Sequence, residues 1–336
     1  MKLNAGRLAR RRFVACAAAL ALTAPFARAA DDAAAARDYP SRTITMLVGF
    51  PAGGPSDAAA RLLVERLQTQ WPKANIIVEN RGGANGSLAA AALTKAPADG
   101  YTLFLVTRSH VNLNWLYPKL PFNVEKDFQP VALMLTMPNV LVVGPSVKDA
   151  DYAAFAAHVK AQPNALTAFS SGNGSDPHLA LEEFRQKTGL QLRHIPYKGG
   201  GPGLIDMLGG NVDASFATLG TVMEQIRQGK ARALAVGGDA RDPMLPNVPT
   251  FKELGVKDYS PQAWYGVMAP AGTPKAIVDK LNVVINEVMN TPEGAKKLEV
   301  LGALPVKSSV EDFTRLYHKE IEENGKLIQS LHVTLD

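Results

Sequence analysis

Residues 43–57 read TITMLVGFPAGGPSD. The first eight are apolar and β-prone, which predicts a strand over 43–50, and a Gly/Pro loop follows at once. Ser56 or Asp57 then caps a helix whose apolar residues Ala60, Leu63, Val64 and Leu67 fall at i, i+3, i+4 and i+7. A strand passed directly to a helix through a tight glycine loop is the unit from which α/β folds are built. The same junction has chemistry of its own. Free backbone N–H groups and the positive end of the helix dipole converge there, and adjacent glycines let an anion approach the main chain. Phe50, Pro51, Ala52, Gly53, Gly54, Ser56 and Asp57 are therefore candidate ligand residues, against the alternative of a plain strand-to-helix turn. The stretch lacks the Gly-Lys-Ser/Thr of a phosphate-binding P-loop.

Outward from this unit the pattern repeats. Strands are predicted over 76–78 and 102–106, with a helix over 88–95 between them. A second series starts near Asn139: strands over 139–143, 166–169, 193–195, 214–216 and 232–236 alternate with helices over 151–160, 178–187, 204–208 and 222–228. A Pro-rich stretch over 242–249 interrupts the series, 264–268 reads as one more strand, and the chain from Pro274 onward is helical. The expected class is α/β, a parallel sheet covered by helices. If the helical tail packs on the first domain, the chain crosses between domains near 137–144 and 262–269. The expected organisation is then residues 30–139 plus 264–336 as domain I and 140–263 as domain II, hinged around a cleft of the kind that holds small ligands.

A second loop, SSGNGSDPH at 170–178, again separates a strand from a helix. Ser171 and Ser175 offer hydroxyls and Gly172 and Gly174 expose backbone, with Asn173 and His178 beside them. Neither a dinucleotide fingerprint nor a nucleophile elbow fits, since Pro177 stands where a third glycine would be required and no G-x-S-x-G occurs. Ser175 or Ser171 with His178 is a hydrolase alternative, but the spacing equally suits a loop cap, and no third group to orient the base is identifiable.

Two facing helix N-termini would form a pincer for a carboxylate without any formal cation. Each dipole end is worth roughly 0.3–1 kcal/mol and each charge-assisted hydrogen bond roughly 1.5–3 kcal/mol. Several together reach the roughly 8 kcal/mol of micromolar affinity after ordering costs.

Thr107, Arg108 and Ser109 follow another strand end, where open α/β sheets bind ligands. Arg108 has two readings, a bidentate partner for a second carboxylate or an exposed loop arginine. Tyr197 and Gly200 belong to a third loop, YKGGGPG at 197–203, whose Pro202 suits the first turn of a helix. Lys198 lacks the Ser/Thr partner of a phosphate-metal site. Asp213 either ties a turn or touches ligand, and Trp264 with Tyr265 either closes over ligand or fills the hinge core. His110 is isolated and reads as a hydrogen-bonded or surface histidine.

Charge and composition exclude several other classes. The chain of 336 residues carries 36 basic and 31 acidic groups, a formal +5, yet six basic residues precede the first acid, Asp31. Residues 1–29 have a basic start, an apolar run over 13–26 and a small-residue site at 27–29, which reads as an export signal cleaved near Ala29. Arg10, Arg11 and Arg12 fit either a twin-arginine motif or a plain basic start. The apolar run is too short to remain as a membrane anchor. Without it the chain is close to neutral, its basic residues are scattered, and nucleic acid is not an expected partner. Cys16, the one cysteine, falls in the signal, so no disulfide or thiol chemistry is expected. The histidines, at 110, 158, 178, 194, 318 and 332, show no metal-ligand spacing. No metal or cofactor is expected.

With these residues in view, the chain resembles the tripartite tricarboxylate transporter solute-binding family, the Bug receptors, along nearly all of its length after the signal. The matching stretches run in order: YPSRTITMLVGFPAGGPSD (39–57), VENRGGANG (78–86), KAPADGYTL (95–103), LPFNVEKDFQPV (120–131), SSGNGSDPHLA (170–180), HIPYKGGGP (194–202), LPNVPTFKELG (245–255) and APAGTP (269–274). The resemblance implies a type II periplasmic-binding fold of two α/β domains with a hinged cleft. It further implies a non-enzymatic, monomeric receptor that captures a small organic carboxylate for the permease subunits of a tripartite membrane transporter; a sensor for a signalling partner is the alternative. Its ligand loops fall on 50–57, 107–109 and 171–178, with 197–202 and Asp213 as further candidates. Two departures stand out: the loop after Asn80 lacks a proline and a fuller glycine run, and Arg108 replaces an expected small polar residue, which points to a ligand with a second acidic group or a narrowed pocket.

Overall fold

A computed structural model describes residues 36–331; the export signal expected over 1–29 lies outside them. In chain order the elements are β1 (Ile44–Val48), α1 (Pro55–Gln70), β2 (Ile76–Asn80), α2 (Ser87–Leu93), β3 (Thr102–Thr107), α3 (Leu113–Leu116) and β4 (Phe128–Val143). There follow α4 (Tyr152–Ala161), β5 (Thr167–Ser170), α5 (Asp176–Thr188), β6 (Arg193–Pro196), α6 (Gly200–Leu208), β7 (Ala214–Thr218), α7 (Leu219–Arg227) and β8 (Arg232–Val236). The chain closes with β9 (Gln262–Pro270), α8 (Lys275–Met289), α9 (Pro292–Val300), β10 (Leu304–Pro305) and α10 (Val310–Leu331). A 3-10 turn, Arg108–Asn112, joins β3 to α3.

The class is α/β, but the sheet is mixed where the alternation predicted a parallel one. β2, β1 and β3 run parallel, and so do β7, β5 and β6. Between these runs, β9 lies antiparallel to both β3 and β4, and β4 is antiparallel to β7 and β8. β4 is the shared strand. Its residues up to Pro138 pair with β9, and from Asn139 onward they pair with β7. The sequence predicted only 139–143 as strand because prolines punctuate the apolar run FQPVALMLTMPNVLVV. Proline cannot donate to a ladder and survives at bulges and strand edges. Pro130 sits where the β4–β9 register shifts, and Pro138 is the last β4 residue paired to β9.

The exchange of partners is fixed by Asn139, which is fully buried. Its N–H donates to the Pro261 carbonyl (3.0 Å), its carbonyl accepts from Gly237 N–H (2.8 Å), and its Nδ2 donates to the Phe216 carbonyl (3.1 Å). Apolar clusters flank the sheet on either side of this point. Ile44, Met46, Leu63, Val131 and Leu281 belong to one, and Leu141, Phe155, Phe184, Phe216 and Phe251 to another. Each such side chain contributes roughly 1.5–3 kcal/mol on burial.

The C-terminal helix packs on the sheet core and also reaches α5. Phe313, Tyr317 and Ile321, spaced by four, face the core; Phe313 meets Trp264 edge-on with ring centres 5.4 Å apart, and the Tyr317 hydroxyl donates to the Val124 carbonyl (2.8 Å). Farther along α10, Ile328 packs with Leu116 and with Leu179 of α5. Among the described residues no helix is long and apolar enough to cross a membrane.

Candidate functional site

Four helices start at one cavity of about 200 Å³. Their N-cap residues are Gly54 (α1), Ser175 (α5), Gly199 (α6) and Thr218 (α7), and in none does an N-cap side chain accept a backbone N–H of the helix's own first turn. By contrast α4 and α9, which do not line the cavity, are capped by Asp151 and Thr291. Proline lies in the first turn of α1 and α5, where it fixes the helical φ and removes an N–H that would have no partner. The positive ends of four helix dipoles thus meet at a small, hydroxyl-rich hollow, an arrangement suited to an anion.

Most residues predicted from the sequence meet here. Phe50, Pro51, Ala52, Gly53, Gly54 and Ser56 line the cavity from the β1–α1 loop. Thr107, Arg108 and Ser109 line it from the end of β3, and Ser171, Ser175 and Gly200 from the loops after β5 and β6. Gly172, Asn173 and Tyr197 lie in an adjoining vestibule of about 880 Å³ that shares Phe50, Pro51, Ala52 and Ser171 with the inner cavity.

Four predicted residues line neither hollow: Asp57, Gly174 and His178 shape the loops that do, and Asp213 lies at the other end of β7, away from the site. The Asp57 carboxylate accepts the Gly53 N–H (3.0 Å) and Arg61 Nε (3.0 Å), which holds the first loop in shape and keeps Asp57 below the usual carboxylate range against the opposing effect of burial. Gly174 adopts φ +72°, and a Cβ there would lie 2.1 Å from Leu116 Cδ1, so only glycine lets the loop approach α3. His178 Nδ1 accepts the Gly174 N–H (2.9 Å). Asp213 accepts from Thr167 N–H and Oγ1 (both 2.8 Å) and from Ser146 Oγ (3.0 Å), the turn-tying reading of that residue.

Arg108 is neither an exposed loop residue nor an unpaired cation. Nε donates to Glu320 Oε2 (2.9 Å), Nη1 to Asp176 Oδ1 (2.9 Å) and Nη2 to Asn324 Oδ1 (3.2 Å). Burial opposes its charge, and Glu320 and Asp176 outweigh that penalty, so it stays a cation. Ser109 Oγ accepts the Asp176 N–H (3.1 Å), and Asn85 Nδ2 donates to the Asn173 carbonyl (2.6 Å). Together these bonds tie the elements around β3 to the loop that begins α5.

Two contributors escaped the sequence reading, and a third, Tyr265, was left between closing over ligand and filling the core. Thr218 and Thr221, whose hydroxyls are 2.9 Å apart, line the cavity at the start of α7, and Tyr265 enters from β9. Thr218 follows a predicted strand and precedes a predicted helix, so the junction rule applied to 50–57 would have found it. Tyr265 had no such signal, because a tyrosine within a buried strand reads as core. Its hydroxyl is pushed up to about 12, chiefly by burial and also by nearby Asp176, while the neighbouring Ser56 and Thr218 side chains work the other way. Trp264, its neighbour, fills the core against Phe313.

Ser175 and His178 are not paired as nucleophile and base. Among the described residues Ser175 Oγ has no hydrogen-bond partner, and His178 Nδ1 already accepts the Gly174 N–H. A serine–histidine bond does form between Ser170 Oγ and His194 Nε2 (2.7 Å), but Ser170 is fully buried and does not line the cavity. A general base must reach a nucleophile that substrate can reach. Among the described residues no group of three or more His, Cys, Asp or Glu is placed to hold a metal.

Known proteins resemble this chain over most of its length. The sequence model of the family described as the tripartite tricarboxylate transporter family receptor matches residues 59–333. Protein BugT of Bordetella pertussis is 40% identical over 271 residues, 80% of this chain and 82% of BugT. Among solved structures, an R. palustris protein with adipate superposes with a TM-score of 0.84 at 33% identity, covering 89% of this chain and all of that one. MatC from Rhodopseudomonas palustris with bound malate gives 0.79 at 31% identity, covering 86% of this chain and all of that one. The chain belongs to the tripartite tricarboxylate transporter receptor family of periplasmic solute-binding proteins.

Proposed function

We propose that the protein captures a small organic carboxylate in the inner cavity, on main-chain amides of the β1–α1 and β5–α5 loops and the hydroxyls around them, and delivers it to the permease of a tripartite membrane transporter. The observation that carries this reading is the convergence of four helix N-termini without side-chain caps of their own on one small cavity. Three or four charge-assisted hydrogen bonds at roughly 1.5–3 kcal/mol each, with roughly 0.3–1 kcal/mol from each helix dipole, supply the gross attraction from which binding affinity is left after ordering costs. The relatives solved with adipate and malate carry acids of this class. No bond is made or broken; the division into domains 30–139 plus 264–336 and 140–263 serves closure over the ligand, and the protein works as a monomer after cleavage near Ala29.

Isothermal calorimetry against mono-, di- and tricarboxylates tests the reading. One-to-one saturable binding of an acid, with a higher melting temperature in its presence, is the expected result. A broad panel in which no acid binds and none raises thermal stability overturns it.

A further inference from the structure

Three charged side chains line the inner cavity: Arg108, Asp176 and Lys198. Arg108 and Asp176 face one another, and Glu320 takes up a further guanidinium N–H, so that corner presents no surplus positive charge. Lys198 is different. It lines the inner cavity and the vestibule alike, it is the one charged residue lining the vestibule, and among the described residues no carboxylate pairs with it.

An exposed lysine is ordinarily a solvated surface charge, and exposure alone would say nothing. What distinguishes Lys198 is where its backbone is held. The Tyr197 N–H donates to the Ser170 carbonyl (3.1 Å) and the Gly199 N–H to the Ser171 carbonyl (3.1 Å), so the residue between them is anchored on both sides to the β5 loop. A Cβ on Gly200 would lie 2.9 Å from Thr221 Cγ2 and 3.5 Å from Ser171 Oγ, so the start of α6 is pressed against both the start of α7 and that same loop. Asp206, the nearby acid on α6, is engaged by the Tyr197 hydroxyl (2.6 Å). Lys198 therefore sits on an anchored stretch of backbone that borders both cavity and vestibule, a cation that no carboxylate among the described residues pairs.

We infer that Lys198 is a specificity-determining residue that receives the second carboxylate of an extended dicarboxylate whose first carboxylate occupies the helix N-termini of the inner cavity. This rests on the function proposed above and deepens it. The helix N-termini recognise any carboxylate, while the lysine rewards only a ligand long enough to place a second charge beside it. The pair remains partly solvated, so its worth lies between an exposed ion pair and a buried charged hydrogen bond.

Calorimetry on the full mature protein with unbranched dicarboxylates of four to eight carbons, each beside the monocarboxylate of equal length, tests this directly. Wild type is expected to prefer the best-fitting dicarboxylate, and Lys198→Gln to weaken that acid about five- to twentyfold while leaving the matched monocarboxylate within about twofold. Lys198→Arg retains the preference and Lys198→Glu reverses it; melting curves establish that each variant is folded. In wild type alone, the dicarboxylate advantage should shrink as salt rises from about 0.05 to about 0.5 M. Equal losses for both acids in Lys198→Gln, no loss for either, or a salt-independent advantage overturns the role of Lys198 while monocarboxylate binding keeps the receptor reading intact. If wild type binds no acid at all, both readings fall.

Discussion

Arg108 Nη1 donates to Asp176 Oδ1 at 2.9 Å, joining the end of β3 to the first residue of α5 across 68 positions of sequence. Both side chains are mostly shielded from water, and the same guanidinium holds Glu320 of α10. Removing one partner of a buried pair strands the other's charge, which costs more than the pair is worth intact. Arg108→Ala is expected to lower unfolding free energy by about 2–3 kcal/mol, discounted from the fully buried case because the arginine retains some exposure. Urea unfolding of Arg108→Ala, Asp176→Asn and the double variant should give non-additive losses; strictly additive ones would show that the contact carries no coupling.

The two glycine loops differ in what they tolerate. At Gly174 a Cβ meets Leu116 Cδ1 at 2.1 Å and φ is +72°, whereas at Gly54 the nearest atom, the Pro51 carbonyl oxygen, is 3.6 Å away and φ is −85°. Gly174→Ala should cost about 1–3 kcal/mol and Gly54→Ala less than about 0.5 kcal/mol in thermal unfolding. Leu116→Ala should relieve part of the first loss, and its failure to do so would place the strain in the backbone alone.

The Tyr265 hydroxyl lies with those of Ser56 and Thr218 at the cavity wall. Tyr265→Phe removes one donor and leaves the ring's packing in place. It should weaken carboxylate binding about fivefold to twentyfold with little change in melting temperature. An unchanged dissociation constant would remove Tyr265 from the site.

His110, His178 and His194 are held neutral by burial, at about 3, about 3 and about 4, with the His178 and His194 rings stacked 4.0 Å apart. Because these values lie below the ordinary histidine range, the unfolded chain binds protons first as pH falls. Stability is complete above about pH 6.5 and drops toward pH 4 by about 1.4 kcal/mol per unit for each histidine. His110 sits among Phe104, Phe122, Phe128 and Tyr317 with neither ring nitrogen bonded. His110→Leu should therefore raise stability at pH 5 more than at pH 7; equal effects at the two pH values would contradict the burial account.

The strand-to-helix junctions at 50–57 and 170–178 were legible because apolar periodicity, proline in the first helical turn and paired glycines are local signals. The mixed sheet was not. β4 reads as broken at Pro130 and Pro138, and only pairing with β9 and β7 shows that a single strand passes through both. Arg108 shows the same limit at the site. Its charge and its place after a strand were visible, while Asp176 and Glu320 lie 68 and 212 residues away along the chain.

The sequence by itself determined most of the strands and helices, where helix N-termini meet glycine loops, and that such junctions favour anions, since each depends on residues within a few positions of one another. Tertiary structure decided which junctions share one cavity, that Thr218 and Tyr265 join them, that Arg108 is engaged by Asp176 and Glu320, and that no carboxylate among the described residues pairs with Lys198. Charge balance and burial are properties of what surrounds a side chain in space, and no local pattern encodes neighbours that the chain brings together only on folding.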